Sequence, residues 1–420
     1  MTGVLFLLFF LFMLLGVPIA LAIGASTLLA LNAQGVPLMV VTQQMFQGIN
    51  SFALVAVPMF ILAGDLMAQG KVSEKLVDFA DALFGFLKGG LSIVSVGAGM
   101  FFAAISGSGA ATTAAVGSSL VPELRKKGYD PASAASLIAA SGTIGVVIPP
   151  SVPMIIYAVI AQQSVSKLFL SGILPGIAMG LGLGAIAIVQ AYRRNYPRGT
   201  ALSLATIWRT FLSASWGLMT PVIILGGIFS GIFTPSEAAV VAVNYALLVS
   251  LFVYRDLGLA DVYRILIRSA ITTSVIMLVI ATSAVLSWTL SSWQVPGAIA
   301  SAVLSLSTDP LVIMLLIVAV ILLTGVFIET ASALIILTPV LLPLVTQLGI
   351  DPIHFGIIIV MGLAIGMITP PVAINLYVAS SVTQLPLERI TRAILPYLLG
   401  LIAVLLLVVY VPILAGWSGA

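Results

Sequence analysis

Long apolar runs dominate the chain, separated by short polar connections. They fall at about 3–32, 51–69, 91–121, 132–163, 168–192, 213–232, 235–254, 266–288, 310–343, 353–385 and 393–415. Many approach the roughly 20 residues a helix needs to cross about 30 Å of hydrocarbon, and predict membrane helices. The run at 3–32 breaks at Gly16-Val17-Pro18, which fits either a kink or a tight turn. It is much longer than a signal-peptide core and no basic residue precedes it, so a retained membrane helix is expected. The stretch 71–88 differs: Val72, Leu76, Phe79, Leu83 and Phe86 recur at helical spacing among Lys71, Glu74, Lys75, Asp78, Asp81 and Lys88. That pattern predicts an amphipathic helix lying in the membrane interface.

The pattern also repeats. Residues 120–131 read LVPELRKKGYDP and residues 341–352 read LLPLVTQLGIDP, an offset of 221. Without a gap, the same offset pairs Gly145 with Gly366, Pro149-Pro150 with Pro370-Pro371, and Ile173-Leu174-Pro175 with Ile394-Leu395-Pro396. The first Gly-x-Asp-Pro loop carries Arg125, Lys126 and Lys127; the second carries no cation. Because Lys and Arg favour the cytoplasmic side, the two loops are expected on opposite faces. Further clusters at Arg193, Arg194, Arg198 and Arg209, at Arg255, Arg264 and Arg268, and at Arg389 and Arg392 read as cytoplasmic connections; those around Asp309 and 344–354 read as external.

The expected fold is therefore an all-α polytopic membrane protein. It has an inverted-topology repeat, two re-entrant helical hairpins and two broken helices. The first half, 1–212, would hold scaffold helices 1–70, the arm helix 71–88, a hairpin 91–121, a broken helix 132–163 and a helix 168–192. The second, 213–420, would hold scaffold helices 213–288, a hairpin 310–343, a broken helix 353–385 and a helix 393–415.

Composition narrows the function. Of 420 residues, 61% are hydrophobic and 7% charged, against roughly 25% charged in an average soluble domain, so the bilayer is the solvent. The net charge of +3 comes from short loops rather than a basic face, which argues against nucleic acid. No cysteine and one histidine leave neither a thiolate metal site nor a nucleophile–base pair for an intramembrane hydrolase. A channel is disfavoured, because hairpins and inverted repeats build an occludable midplane site.

The candidate chemistry sits at the breaks. Gly142–Pro153 reads GTIGVVIPPSVP and Gly362–Asn375 reads GLAIGMITPPVAIN. Proline frees carbonyls of the preceding turn, and in lipid such groups survive where they line a cavity or bind something. A Pro-kinked helix packed on its neighbours is the plainer alternative. Ahead of each break lies a segment that could turn inside the membrane. The first contains Ser106-Gly107-Ser108-Gly109, followed by Thr112 and Thr113; close packing through small residues would explain it equally. At the matching position the second carries Glu329, either a functional carboxylate or a hydrogen-bonded group at a hairpin tip. Asp65 and Glu237 suit structural roles, Glu237 as a helix cap after Thr234-Pro235-Ser236, and His354 suits a loop. No Lys or Arg falls within the hairpins and breaks, so an anion there would be held by hydroxyls, tip amides, helix N-termini and a bound cation. Ser108, Ser151, Thr330 and Asn375, with Glu329, are the expected solute contacts.

These residues resemble those of the large membrane subunit of the tripartite ATP-independent periplasmic (TRAP) transporters, over essentially the whole chain. The resemblance is carried by GVPIALAIG (16–24), PMFILAGDLM (58–67), SGSGAATTAAVGS (106–118), LRKKGYDPASAASLIAASGTIGVVIPPS (124–151), FTPSEAAVVA (233–242) and GMITPPVAINLYVAS (366–380). It implies an elevator-type Na⁺-driven carrier of the ion transporter superfamily in a bacterial inner membrane. Its partners would be a small four-helix membrane subunit and a periplasmic binding protein that delivers a C4-dicarboxylate, keto acid or sialic acid. Beyond Na⁺ as coupling ion, no cofactor is implied. By the same resemblance, one sodium site would use Ser106, Gly145, Ile148 and Pro150; the other would use Gly325, Gly366, Thr369 and Met367. A self-sufficient carboxylate or cation/proton carrier of the same superfamily is the alternative.

Overall fold

A computed structural model describes residues 1–69, 71–198, 201–307 and 309–414. Position 70, position 415 and the tail to 420, which end three of the expected segments, lie outside the described residues. Among the described residues the regular structure is helical throughout. In chain order the helices begin with α1 (Thr2–Leu14), α2 (Ile19–Asn32), α3 (Leu38–Ile49), α4 (Ala56–Gln69) and α5 (Val72–Phe84). A first hairpin, α6 (Gly90–Ser106) and α7 (Gly109–Lys126), leads to the interrupted pair α8 (Pro131–Thr143) and α9 (Val152–Ile160), then α10 (Val165–Arg193). Next come α11 (Leu204–Phe229), α12 (Pro235–Leu248), α13 (Leu259–Ser292) and α14 (Val295–Leu306). A second hairpin, α15 (Pro310–Phe327) and α16 (Thr330–Gln347), is followed by α17 (Pro352–Gly366), α18 (Ile374–Thr383) and α19 (Leu387–Leu414).

Adding 221 to α7 gives the bounds of α16, and the same shift carries α6 to α15, α8 to α17, α9 to α18 and α10 to α19 within two residues. It also carries α5 onto α14 within two residues, so the arm helix has a counterpart. The sequence reading missed that counterpart because VPGAIASAVLSL carries no charge to mark an amphipathic face. It missed α3 because LMVVTQQMFQGI is too polar for a span; α3 packs on α13 where Gly48 faces Ala284.

The repeated Gly-x-Asp-Pro loop has a local explanation. Gly128 and Gly349 take left-handed φ values of +76° and +74°, closing α7 and α16. Two residues later Asp130 and Asp351 cap α8 and α17, accepting from the backbone N–H of Ser133 and Ile353 at 3.0 and 2.8 Å. Pro131 and Pro352 then occupy the first helical position, where no N–H is required. Four residues thus stop one helix and start the next.

Eight helices among the described residues are long and apolar enough to cross a membrane. Leu181, Leu323 and Leu407 each leave more than 60% of their surface uncovered, which needs an apolar solvent. The first segment is not one helix: α1 and α2 pack against each other across a turn at Gly16, whose φ is +76°. The apolar face of α5 is covered by protein, with Val72, Leu76 and Phe79 buried where α5 packs against α6 and α11. Arg264 and Arg268, expected in a connection, lie inside α13, whose 34 residues extend about 51 Å. His354 is not in a loop: it sits in the first turn of α17 and donates from Nε2 to the Val408 carbonyl at 2.9 Å, tying α17 to α19. Glu237 closes a capping box with Thr234, as its sequence context suggests.

Candidate functional site

At the first tip, α6 ends on Ser106 because Gly107 turns into the left-handed region at φ +60°. Ser108 then caps α7, its Oγ accepting from Ala111 N–H at 3.4 Å. Ser106 Oγ lies 2.9 Å from Thr112 Oγ1, which donates to the Ser108 carbonyl at 2.8 Å. The following break meets this tip backbone to backbone. A Cβ on Gly145 would lie 2.5 Å from Thr112 Oγ1 and 2.7 Å from the Ser108 carbonyl oxygen; one on Gly107 would lie 2.7 Å from that of Pro150. Ser106, Ser108, Thr112 and Pro150 therefore concentrate oxygen atoms where no side chain intrudes, a donor set that suits a hard cation. Thr112 was not among the expected ligands, though its hydroxyl one turn after Ser108 was the available signal. Ile148 turns its side chain to Gly176 on α10, so only its backbone could take part.

The second tip is built differently. Glu329 caps α16, accepting from the N–H groups of Ala331 and Ser332 at 3.0 and 3.2 Å, so the structural role considered for it is present. Thr330 is buried and its hydroxyl has no partner among the described residues. A Cβ on Gly366 would lie within 2.4–2.5 Å of the Gly325 carbonyl carbon, Cα and oxygen. Thr369 donates to the Ile365 carbonyl at 2.9 Å, leaving its oxygen lone pairs available. The Met367 carbonyl accepts from Asn375 N–H at 2.9 Å, while its thioether reaches across to Gly109 of the first hairpin. Both Pro-Pro bonds, Pro149-Pro150 and Pro370-Pro371, are cis.

Both tips border one cavity of about 500 Å³. Ser106 and Ser108 line it from the first hairpin, Glu329 and Thr330 from the second, and Val152 and Met367 from the breaks. α4 and α13 close the remaining side with Asp65, Arg268 and Thr272. Asp65, expected to be structural, does accept from Ser269 Oγ at 2.7 Å, tying α4 to α13, but also faces the cavity. Next to it, Gly64 lets the tip backbone approach: a Cβ there would lie 2.8 Å from the Ser106 carbonyl oxygen.

Two expected solute contacts lie elsewhere. Ser151 is fully buried inside the first break; its hydroxyl donates to the Val146 carbonyl at 2.6 Å and caps α9 through Met154 N–H at 3.3 Å. Asn375 is also fully buried, and its Nδ2 donates to the Ala139 carbonyl at 3.2 Å, joining the second break to α8 of the first half. Neither lines the cavity. Both follow a Pro-Pro pair, but side-chain direction there is set by the irregular backbone, which spacing does not reveal.

Comparison with known proteins agrees with this architecture. The chain is 43% identical over 412 residues to the isethionate TRAP transporter permease protein DctMQ of Oleidesulfovibrio alaskensis, covering 97% of this chain but only 65% of that protein's length. It is 42% identical to the C4-dicarboxylate TRAP transporter large permease protein DctM of Pseudomonas aeruginosa, covering 94% of this chain and 93% of the relative. In fold it is similar to the Alcanivorax borkumensis YdaH transporter, with a TM-score of 0.68 at 16% identity, covering 99% of this chain and all of that one. Residues 6–414 match the family described as the DctM component of the tripartite ATP-independent periplasmic transporter. The chain is thus a multi-pass inner-membrane transporter permease that belongs to the DctM component family of tripartite ATP-independent periplasmic transporters.

Proposed function

We propose that this permease couples Na⁺ entry to the uptake of a small organic acid, of the dicarboxylate, keto acid or sialic acid class. A periplasmic binding protein delivers the acid, and a small membrane subunit completes the complex. The observation that carries this reading is the single cavity bordered by both hairpin tips and both breaks. Na⁺ is cargo here, held at the oxygen-rich contacts of Ser106, Gly145 and Pro150 and of Gly325, Gly366 and Thr369. Its charge offsets that of the solute, so each favours binding of the other. Hairpins and breaks move as one body past a fixed frame containing α4 and α13, carrying the cavity from one side to the other. Halves 1–212 and 213–420 enter the membrane in opposite senses, and both hairpins are re-entrant.

Proteoliposomes holding the permease and its small subunit test this directly. Uptake of the labelled acid should require Na⁺ and the binding protein together. Equal uptake without the binding protein would favour a self-sufficient carrier, and uptake driven by a proton gradient alone would overturn Na⁺ coupling.

Two further results are expected. Single cysteines introduced into the cysteine-free chain at 125–127 should label from the cytoplasmic side, and those at 349–351 from the outside. Labelling of both from one side would sink the inverted topology. Thr330→Val, which keeps shape and removes the unpartnered hydroxyl, should raise the solute concentration for half-maximal uptake about tenfold, the loss expected for one hydrogen bond to a charged group. Ser108→Ala should act in the same direction but also remove a helix cap worth about 1 kcal/mol, so its folding must be measured alongside. Normal half-saturation in both variants would put the solute elsewhere.

A further inference from the structure

Arg268 contributes the one cation among the residues that line the cavity. It lies on α13, which the uptake reading above assigns to the fixed frame, with both hairpin tips in the moving body. The carboxylates sharing the cavity already have partners: Asp65 holds Ser269 Oγ, and Glu329 holds the first amides of α16. Arg268 itself is exposed and has no carboxylate within 4.0 Å among the described residues. Arg268 thus lies on the cavity wall near Asp65, whose charge it feels, with Thr272 one helical turn further along.

We infer that Arg268 is a carboxylate-receiving residue of the cavity, which the anion meets on the frame rather than on the moving body. This rests on the uptake reading above and adds a polarity to it. A guanidinium makes paired, charge-assisted hydrogen bonds to a carboxylate. Because Arg268 stays with the frame, that contact exists only when the body stands where this structure has it, beside the basic end of α13 that carries Arg264 and Arg268. The anion then exchanges one set of contacts, tip hydroxyls and Na⁺, for a contact with Arg268. That exchange lowers the cost of parting from the tips on the cytoplasmic side. On the external side Arg268 makes no contact and contributes nothing to capture.

The absence of cysteine makes a solute-independent test available. In the permease–small subunit complex, Ser381→Cys places a thiol on the cavity wall contributed by α18. Its reaction rates with an anionic sulfonatoethyl and a cationic trimethylammonioethyl methanethiosulfonate are compared with Arg268 present and with Arg268→Gln. The anionic-to-cationic rate ratio should fall about fivefold in the Gln variant and recover in Arg268→Lys, since a nearby cation concentrates one reagent and repels the other. An unchanged ratio would overturn the inference. A second measurement uses succinate in both directions. For Arg268→Gln, half-saturation for efflux from the cytoplasmic face should rise at least about tenfold, and by several times more than half-saturation for uptake. Equal changes in both directions would make Arg268 a structural residue. If wild-type protein moves no succinate, the dicarboxylate class is excluded and the comparison is made with a keto acid or sialic acid, while the reagent-rate ratio still decides the role of Arg268.

Discussion

Alanine at Gly366 is expected to reduce Na⁺-driven uptake at least about a hundredfold while leaving a folded protein bound to its small subunit. A Cβ at this position would lie within 2.4–2.5 Å of three backbone atoms of Gly325. No rotamer change relieves that, because the opposing atoms are main chain on both sides. Hairpin and break must separate, at an overpacking cost of roughly 1–3 kcal/mol that a large membrane protein can absorb. Geometry cannot absorb it: a binding constellation must be held within about 0.5 Å of its working arrangement. Gly145→Ala should behave alike, since its Cβ would meet Thr112 Oγ1 at 2.5 Å and the Ser108 carbonyl at 2.7 Å. Gly226→Ala is the control, with nothing within 4 Å of the added carbon. Initial uptake rates beside thermal unfolding of each complex check this; a Gly366→Ala protein working within twofold of wild type would disprove the tight contact.

Removing the hydroxyl oxygens from the two tip–break contacts should change the Na⁺ requirement more than the solute requirement. Thr369→Val keeps the shape of the side chain and deletes an oxygen that already donates its proton to the Ile365 carbonyl, leaving lone pairs as its remaining capacity. The Na⁺ concentration for half-maximal uptake should rise at least about tenfold. Ser106→Ala should do the same at the first tip, and there Thr112→Val should match it because the two hydroxyls sit 2.9 Å apart. Combining Thr369→Val with Ser106→Ala should remove Na⁺ stimulation altogether. These are measured as uptake against Na⁺ concentration at saturating solute. If Thr369→Val has a wild-type Na⁺ curve, Thr369 is not a ligand.

Much of the fold is written locally. Gly128-x-Asp130-Pro131 and Gly349-x-Asp351-Pro352 each encode a left-handed stop, a cap and a proline start, so the chain's punctuation could be read without any tertiary contact. The offset between them carried most of the helix bounds with it. What escaped depended on neighbours. α14 lacks the charges that marked α5, although it occupies the equivalent position. Arg268 looked like one member of a cytoplasmic cluster, and only the packing of α13 against α4 and the hairpins brings it to the cavity. Gly145 and Gly366 were legible as paired landmarks and Gly325 came with the family resemblance, but Thr112 appears beside Gly145 only once the hairpin folds onto the break. Asn375, expected to meet solute, shows the reverse case: its amide donates to a carbonyl in the other half of the molecule, which no local pattern announces.

The N-terminal pair bears on the membrane itself. α1 and α2 have 13 and 14 residues, so each is about 20 Å long, some 10 Å short of the hydrocarbon beside it. Leu7, Phe10, Leu14 and Leu15 nevertheless point outward, uncovered by the rest of the chain. A rod too short for its bilayer is accommodated by thinning the lipid or by recruiting a companion that hides the mismatch. On either outcome the surroundings of this permease are uneven around its rim. Lipid thinned near α1 and α2 beside full-height lipid near α10 and α19 would make acyl-chain length a variable that sets how easily the protein works.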